Sequence, residues 1–546
     1  MTASTPNIES VLSGFPHLVR GPGGVAAVLK DGQVVGQSAW GYADLEQRIP
    51  MTAQTQFPIC SISKQMVCLT MVSLERKPTS LMLERKQEPA EQFEAELRKL
   101  LPHLAQAEDG HQVTVANLYN MQSGIRDYWA MTALWGARPD GIFSLLHSAP
   151  EVLDRIKSFH FAPGTEYSYS NVNFHVLGRI LENVSGISLA QLLVERLFIP
   201  AGMTTAALCP NTNGLPLPIV GYEGNEKVGY FAATNRIEWA GDAGIIASLD
   251  DMVAYEKYLD RSLSDPESLY ARTSQQQTFK DGTPAAYGYG LARFPIAGKK
   301  AIGHGGALRG FRHARLQIPS ERFSFVVMLN HENAKPEAMV TGVLGFEEPK
   351  PTVYAPHQSW TGNFLDYHTQ LSVTIEIGDR EKPGTLSISY GPGTSGESVK
   401  LTSETEGGAP NMKVRLDGDV LHVERVDDNR TLHATRIQPP NDVDSHRATS
   451  SDYTGTYRCD ESDSTFNVSG EDGTLYGCFD GFLGQGPIWL MRRVGKDVWL
   501  LGNPRGLDST PPGDWTVVFK RGKDGNKVDE CTVGSWLARK VKYVKL

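Results

Sequence analysis

The chain lacks the features that would send it to a membrane, a nucleic acid or an oxidising compartment. Its 546 residues contain no run of about 18 apolar residues, the length a helix needs to span a bilayer. Cations are in deficit: 53 Lys and Arg stand against 62 Asp and Glu, a formal net charge of -9. A phosphate-binding surface needs clustered Lys and Arg, so nucleic acid is excluded as a partner. Cysteine is scarce. Cys60, Cys68, Cys209, Cys459, Cys478 and Cys531 are scattered and form no CxxC pair, which argues against a structural zinc. In a reducing compartment such thiols serve as small buried apolar residues. Met1–Arg20 carries Asn7, Glu9 and His17, with no basic start followed by an apolar core. That is not a signal peptide, and the expectation is a cytoplasmic protein. The Asn-x-Ser/Thr triplets at Asn183, Asn429 and Asn467 then read as accidental.

What is present is a soluble, multidomain composition, 40% hydrophobic and 21% charged. The length exceeds one core, so two to four domains are expected. Val25–Leu29 and Val34–Trp40 flank Lys30-Asp31-Gly32-Gln33, an Asp-Gly hairpin signal. Apolar residues recur at helical spacing over Ile62–Arg76, and Pro78 ends that helix. The stretch 83–100, dense in Glu, Lys and Arg, reads as a solvated helix or an inserted loop. Further helices are expected at 114–121, 139–157 and 171–197, and strands at 285–294, 310–318 and 323–330. Helices enclosed by two sets of strands imply an α+β domain whose antiparallel sheet joins both ends of the segment.

Near residue 345 the pattern changes. Glu347-Glu348-Pro349-Lys350-Pro351 reads as a linker. Short alternating segments follow at Leu371–Ile377, Thr385–Tyr390, Val414–Leu416, Val420–Val426 and Leu432–Ile437. A polar stretch, Gln438–Ser451, precedes a second β-rich region that runs to Leu546. The first β region opens with Ser359-Trp360-Thr361-Gly362-Asn363-Phe364 and the second with Asp452-Tyr453-Thr454-Gly455-Thr456-Tyr457. An aromatic-Thr-Gly-x-aromatic pattern heading two blocks of similar length points to a repeat. We expect three domains, 1–345, 352–440 and 450–546, the last two being small antiparallel barrels or sandwiches.

Three elements of the first domain carry chemistry. Ser61 opens the helix and Lys64 lies three residues on, on the same face. The helix N-terminus offers free N–H groups and positive potential, which favour an oxyanion and a neutral amine able to take the serine proton. An N-cap serine followed by a surface lysine would read the same way. Next comes Tyr169-Ser170-Asn171 before a helix. A phenol there can relay a proton beside a lysine whose charge favours the phenolate, and the Asn171 amide can hold a substrate carbonyl. Finally, Gly303-His304-Gly305-Gly306-Ala307 precedes the strand Phe311–Ile318. Gly305 and Gly306 let backbone approach a substrate closely. The N–H of Ala307 can complete an oxyanion hole with that of Ser61. His304 can protonate a leaving group or orient Tyr169. Cys60 is a rival nucleophile on reactivity alone, but the residue before the helix start is expected to pack inward.

Ser61-x-x-Lys64, Tyr169-x-Asn171 and His304-x-Gly306, in this order, resemble the three-motif signature of the penicillin-recognising serine hydrolases, the superfamily of serine β-lactamases and DD-peptidases. His-x-Gly in place of Lys-Thr-Gly is similar to the esterase and aminopeptidase branches. Gly21–Val25, Pro58–Ser61, Gln122–Trp129, Ala233–Arg236, Gly303–Gly310 and Ser535–Arg539 resemble the D-aminopeptidase branch, and the likeness covers nearly the whole chain. It implies a β-lactamase-like catalytic domain and two antiparallel β-barrels, a homodimer, no metal or organic cofactor, and release of N-terminal D-residues through an acyl-enzyme. A D-amino-acid amidase or esterase, or an idle binding protein for D-amino-acid compounds, are the other readings. The resemblance further implies that a loop of the last barrel enters the cleft and closes its amine side. Here that loop is expected at Phe479–Trp489, with a Gly-Phe-Leu-Gly core that includes Phe482. The branch carries an acid late in this loop where this chain has Pro487, so Asp480 or a carbonyl is expected to substitute. The charged stretch at 76–106, longer than in the branch, is read as a surface insertion away from the site.

Overall fold

A computed structural model of the chain describes residues 7–104, 110–296, 298–345, 354–378, 384–390, 396–438, 450–471, 473–503, 505–509, 513–523 and 527–546. The linker at 347–351 and most of 438–451 lie outside them. At the centre of the first domain is an eight-stranded antiparallel sheet. Its order is Ile49–Pro50, Gln33–Asp44, Gly23–Lys30, Phe323–Leu329, Phe311–Ile318, Lys299–Leu308, Leu291–Ile296 and Tyr287–Gly288. The first hairpin therefore pairs with the last strand, Val28 opposite Phe325, and joins the two ends of the domain as expected. The hairpin turns through Asp31 and Gly32, both at positive φ (52° and 72°), the geometry that Asp-Gly selects.

Strand periodicity divides the core. Ala26 and Val28 face the helices Ile8–Leu18 and Pro336–Leu344. Val25, Ala27 and Leu29 face the large helical layer. The nucleophile helix, Ser63–Arg76, is buried along nearly its whole length and crosses this layer.

Several helices differ from expectation. Of 139–157, only Ser148–Asp154 is helical, because Phe143 bridges Ile237. The helix expected over 171–197 stops at Ser185, where Gly186 takes the left-handed C-cap conformation, and restarts at Leu189. The charged stretch holds the helix Pro89–Leu100, which is not simply solvated: Gln92, Phe93 and Leu97 are buried. Glu91, Arg98 and Lys99 line the outer face of an amphipathic helix, while Glu94 and Glu96 turn inward to accept from Val115 N–H and Asn183.

Both β regions are closed antiparallel barrels. The first runs through eight strands and closes where Gly362–Asp366 pairs with Arg430–Arg436. The second closes where Ser464–Glu471 pairs with Thr474–Gly481. The repeated motif plays one structural part in each. Trp360 and Tyr453 are buried plugs, and Gly362 and Gly455 enter the first strand at φ 129° and 138°, where a side chain would be strained.

Candidate active site

Ser61 is set by a turn too tight for ordinary backbone. After the strand Phe57–Pro58, Cys60 sits at φ 53° and a 3-10 turn, Cys60–Ile62, leads into the helix. Cys60 is fully buried, its Sγ turned to the Pro58 carbonyl at 3.0 Å. Burial holds its thiol protonated, well above the usual range, which removes the rival nucleophile. One turn along the helix, Lys64 donates to Ser61 Oγ (2.8 Å), Asn171 Oδ1 (2.9 Å) and the Asp242 carbonyl (2.7 Å). The last two atoms only accept, so they claim two N–H bonds. The third direction, toward Ser61, is an N–H in the ammonium and a lone pair in the neutral amine. Burial lowers Lys64 to about 8, against the pull of Asp242 and Asp127, so the amine is accessible near neutrality.

Asn171 is locked in that orientation. Its Nδ2 donates to Asp127 Oδ1 at 3.0 Å, and its backbone N–H reaches the same oxygen at 2.6 Å. Much of its polar capacity thus serves Lys64, and not only a substrate carbonyl. Asp127 also caps the helix Tyr128–Leu134 through Ala130 N–H. Asp242 accepts from Tyr128 Oη at 2.8 Å and Trp129 Nε1 at 3.3 Å. Burial raises both carboxyls, Asp127 to about 6.

The Tyr169 ring lies beside Lys64 Nζ, 5.0 Å from its centroid. Burial raises its phenol well above 10, and a hydrogen bond with Ser61 opposes this only in part. The sequence reading favoured a phenolate beside a cationic lysine. In the fold desolvation wins, so the phenol keeps its proton and Lys64 is the better base. His304 is also placed differently from expectation. Its Nδ1 faces the Gly305 carbonyl at 2.6 Å and its Nε2 faces Tyr287 Oη at 2.9 Å. The carbonyl can only accept, so Nδ1 carries the proton and Nε2 accepts from Tyr287. Burial and the nearby Lys64 lower His304 to about 3. It is a neutral ring that fixes Tyr287, with its centroid 5.9 Å from that of Tyr169, and not a cationic acid.

The strand Lys299–Leu308 carries His304, Gly305, Gly306 and Ala307 into the cleft. Gly306 lies on the Ser61 turn so closely that a Cβ would stand 2.7 Å from the Ile59 carbonyl. Ser61, Gly305, Gly306 and Ala307 line one cavity of about 380 Å³. A second, of about 140 Å³, opens beside it under the helix Tyr128–Leu134. The two share Tyr169, Asn171, Asp508 and Ser509.

The second barrel does reach the cleft, with Trp489 at the end of the expected loop and with a second segment that the sequence did not point to. The turn 479–489 docks on the end of the helix Tyr128–Leu134. Leu483 N–H donates to the Trp135 carbonyl (3.0 Å), Phe482 packs on the Trp135 ring (5.3 Å), and Arg138 donates to the Gln485 carbonyl (3.1 Å). Asp480 accepts from Asn467 within the barrel, at 2.7 Å. Neither Asp480 nor Phe482 lines the cavities, and Pro487 vacates nothing in them. That second segment brings in Asn503, Arg505, Gly506, Leu507, Asp508 and Ser509. Its backbone is tied down by Arg309 N–H on the Asp508 carbonyl at 2.9 Å. Burial, reinforced by Asp127, raises Asp508 to about 7, and among the described residues it makes no salt bridge. Asp508, Asp127, Asp242 and Tyr287 escaped the sequence reading. The run Gly502-Asn503-Pro504-Arg505-Gly506 marks a loop, but nothing local says which cleft it enters.

A Beta-lactamase family model matches residues 9–345, and a model for D-aminopeptidase, domain B, matches 353–544. D-aminopeptidase of Brucella melitensis biotype 1 is 41% identical over 544 residues, 99% of each chain. D-aminopeptidase of Brucella anthropi is 40% identical over 542 residues, 99% of this chain and 98% of that one. Among solved structures, the octameric penicillin-binding protein homologue from Pyrococcus abyssi is similar in fold. Its TM-score is 0.51 at 18% identity, over 86% of this chain and 97% of that one. The chain belongs to the D-aminopeptidase family of β-lactamase-like proteins.

Proposed function

We propose that the protein is a D-stereospecific serine aminopeptidase that releases N-terminal D-residues from short peptides, amides and esters. One observation carries the choice of aminopeptidase. The Asp508 carboxyl lines both the cavity that holds Ser61 and the smaller one beside it, and among the described residues it makes no salt bridge, although Arg312 and Lys335 line the larger cavity as well. A free ammonium is the partner that carboxyl lacks, and a small side chain fits the smaller cavity.

In the proposed reaction Ser61 Oγ attacks the carbonyl and its proton passes to neutral Lys64. The N–H groups of Ser61 and Ala307 hold the oxyanion. Tyr169 gives its phenolic proton to the leaving amine and is reprotonated from Lys64. Water then attacks the acyl-enzyme along the reversed proton path. Asn171 orients Lys64, and His304, held by Tyr287, lines the cavity beside Ser61. No step calls for a metal or cofactor.

The test is hydrolysis of D-alanine and L-alanine p-nitroanilides, with Ser61→Ala as the blank. D-only turnover, abolished in the variant, is expected. Turnover of esters alone would move the protein to the esterase reading, and failure of Ser61 to acylate with any ester or fluorophosphonate would revive the binding protein. A cytoplasmic setting and a homodimer complete the proposal. Six free thiols support the first. Cell fractionation and light scattering decide them.

A further inference from the structure

The first barrel lines neither cavity, yet it holds the chain that delivers Tyr169. Residues 165–170 form no helix or strand, so no ladder of their own sets their path. Three consecutive residues of this segment are instead gripped by three consecutive residues of the first barrel. Asn429 Nδ2 donates to the Thr165 carbonyl (3.0 Å), Arg430 Nη1 to Glu166 Oε1 (2.7 Å), and Tyr167 N–H to the Asp428 carbonyl (3.1 Å). The second barrel takes the other oxygen of Glu166, through Arg539 Nη1 at 2.7 Å. Arg539 is itself seated on the Trp536 ring at 4.3 Å.

The gripping turn is stiff. It joins the strands Val420–Arg425 and Arg430–Arg436, and Asn429 holds φ 51°. Asp428 is paired with Arg425, which also donates to Tyr390 Oη and Glu397 Oε1, each at 2.7 Å. Glu166 and Asp428 are buried, where ion pairs hold their geometry against solvent exchange. Downstream, Ser168 N–H binds the Met121 carbonyl at 3.0 Å, and the phenol comes next.

We propose that the Asp428-Asn429-Arg430 turn and Glu166 are positioning elements: the first barrel sets the place of the Tyr169 hydroxyl, and so the delivery of the proton to the leaving group. This rests on the aminopeptidase reading above. A misplacement of about 1 Å costs on the order of 100-fold in a well-aligned step. Loss of one of several anchors is expected to cost about tenfold.

The experiment compares kcat/KM for D-alanine p-nitroanilide, whose leaving amine needs a proton, with that for the p-nitrophenyl ester, whose phenolate does not. Arg430→Ala should lower the anilide value about tenfold through kcat, with KM unchanged, and the ester value less than twofold. Arg430→Lys should recover part of the loss. Asn429→Gly, which keeps the left-handed backbone but removes the bond to Thr165, should shift the ratio in the same direction and guards against misfolding. Equal losses on both substrates, or no loss on either, would overturn the proposal, since a merely structural contact scales both alike. Wild-type turnover tests the aminopeptidase reading, and only the ratio of variant to wild type tests this one. If the wild type takes esters alone, the methyl ester, whose alkoxide also needs a proton, replaces the anilide.

Discussion

The two barrels share a scaffold and differ in what their loops do. Each is a closed antiparallel ring headed by a buried aromatic and a glycine at high positive φ. The second sends Leu507, Asp508 and Ser509 into the cleft. It also straps the helix Tyr128–Leu134 at both ends, through Leu537 O on Asp127 N–H and Trp135 O on Leu483 N–H. The first touches the catalytic domain behind the cleft, at the segment before Tyr169. A closed barrel has no strand edge to offer, so its dealings with a neighbour fall to its turns. Two copies of one scaffold can therefore diverge in function through a few loop residues alone.

The sharpest way to break this contrast is to neutralise the second barrel's charge. Asp508→Asn should lower kcat/KM for free-amine D-alanine substrates about 100-fold, about 2.7 kcal/mol, the cost of stranding one partner of a buried charge pair. It should leave N-acetylated esters within about twofold. Parallel losses on both classes would mean that the segment 503–509 only packs.

A pH profile sharpens it further. Lys64 acts as the amine and its folded value is lowered to about 8, so activity on N-blocked esters should fall about tenfold per unit as pH drops below 8 and level off above it. Asp508 is raised to about 7 and is charged only above that. A substrate α-amino group loses its proton near about 8. Free-amine substrates need Lys64 neutral, Asp508 charged and their own amine protonated, so they should give a bell centred near about 8, and N-blocked substrates a single rising limb. Superimposable profiles would remove Asp508 as the amine's partner.

The smallest effect concerns the turn 479–489. Phe482→Ala should cost about 1.5–2.5 kcal/mol in urea unfolding, about half the value for a fully buried phenylalanine. The ratio of free-amine to N-blocked turnover should stay within about twofold. A selective loss of free-amine activity would return to this turn the role proposed for Asp508.

Local signals carried much of the architecture. The Asp31-Gly32 hairpin, the nucleophile helix and most strands of the first barrel follow from turn chemistry and periodicity at short range. They failed where a distant partner overruled them. Phe143 is drawn from a helical pattern into a bridge with Ile237, and the charged stretch turns a buried face toward the helix Asn171–Ser185, where Asn183 meets Glu96. In the site, Ser61, Lys64, Tyr169, Asn171 and His304 were legible because fixed spacings before helices and strands bring such groups together. Asp508 was not, since it sits 447 positions after Ser61 (508 − 61) in a loop whose destination depends on how two domains dock.

The sequence by itself determined most element types, the α+β class with two β regions behind it, and the chemical identity of the nucleophile cluster, because each depends on contacts within one turn or one hairpin. Only the tertiary structure decided the protonation pattern and the closing of the cleft. Burial makes Lys64 a base, holds Tyr169 as a phenol and keeps His304 neutral, and docking of the second barrel chooses Asp508 over Asp480. Desolvation and interdomain contact are properties of what surrounds a residue in space, and no local spacing encodes them.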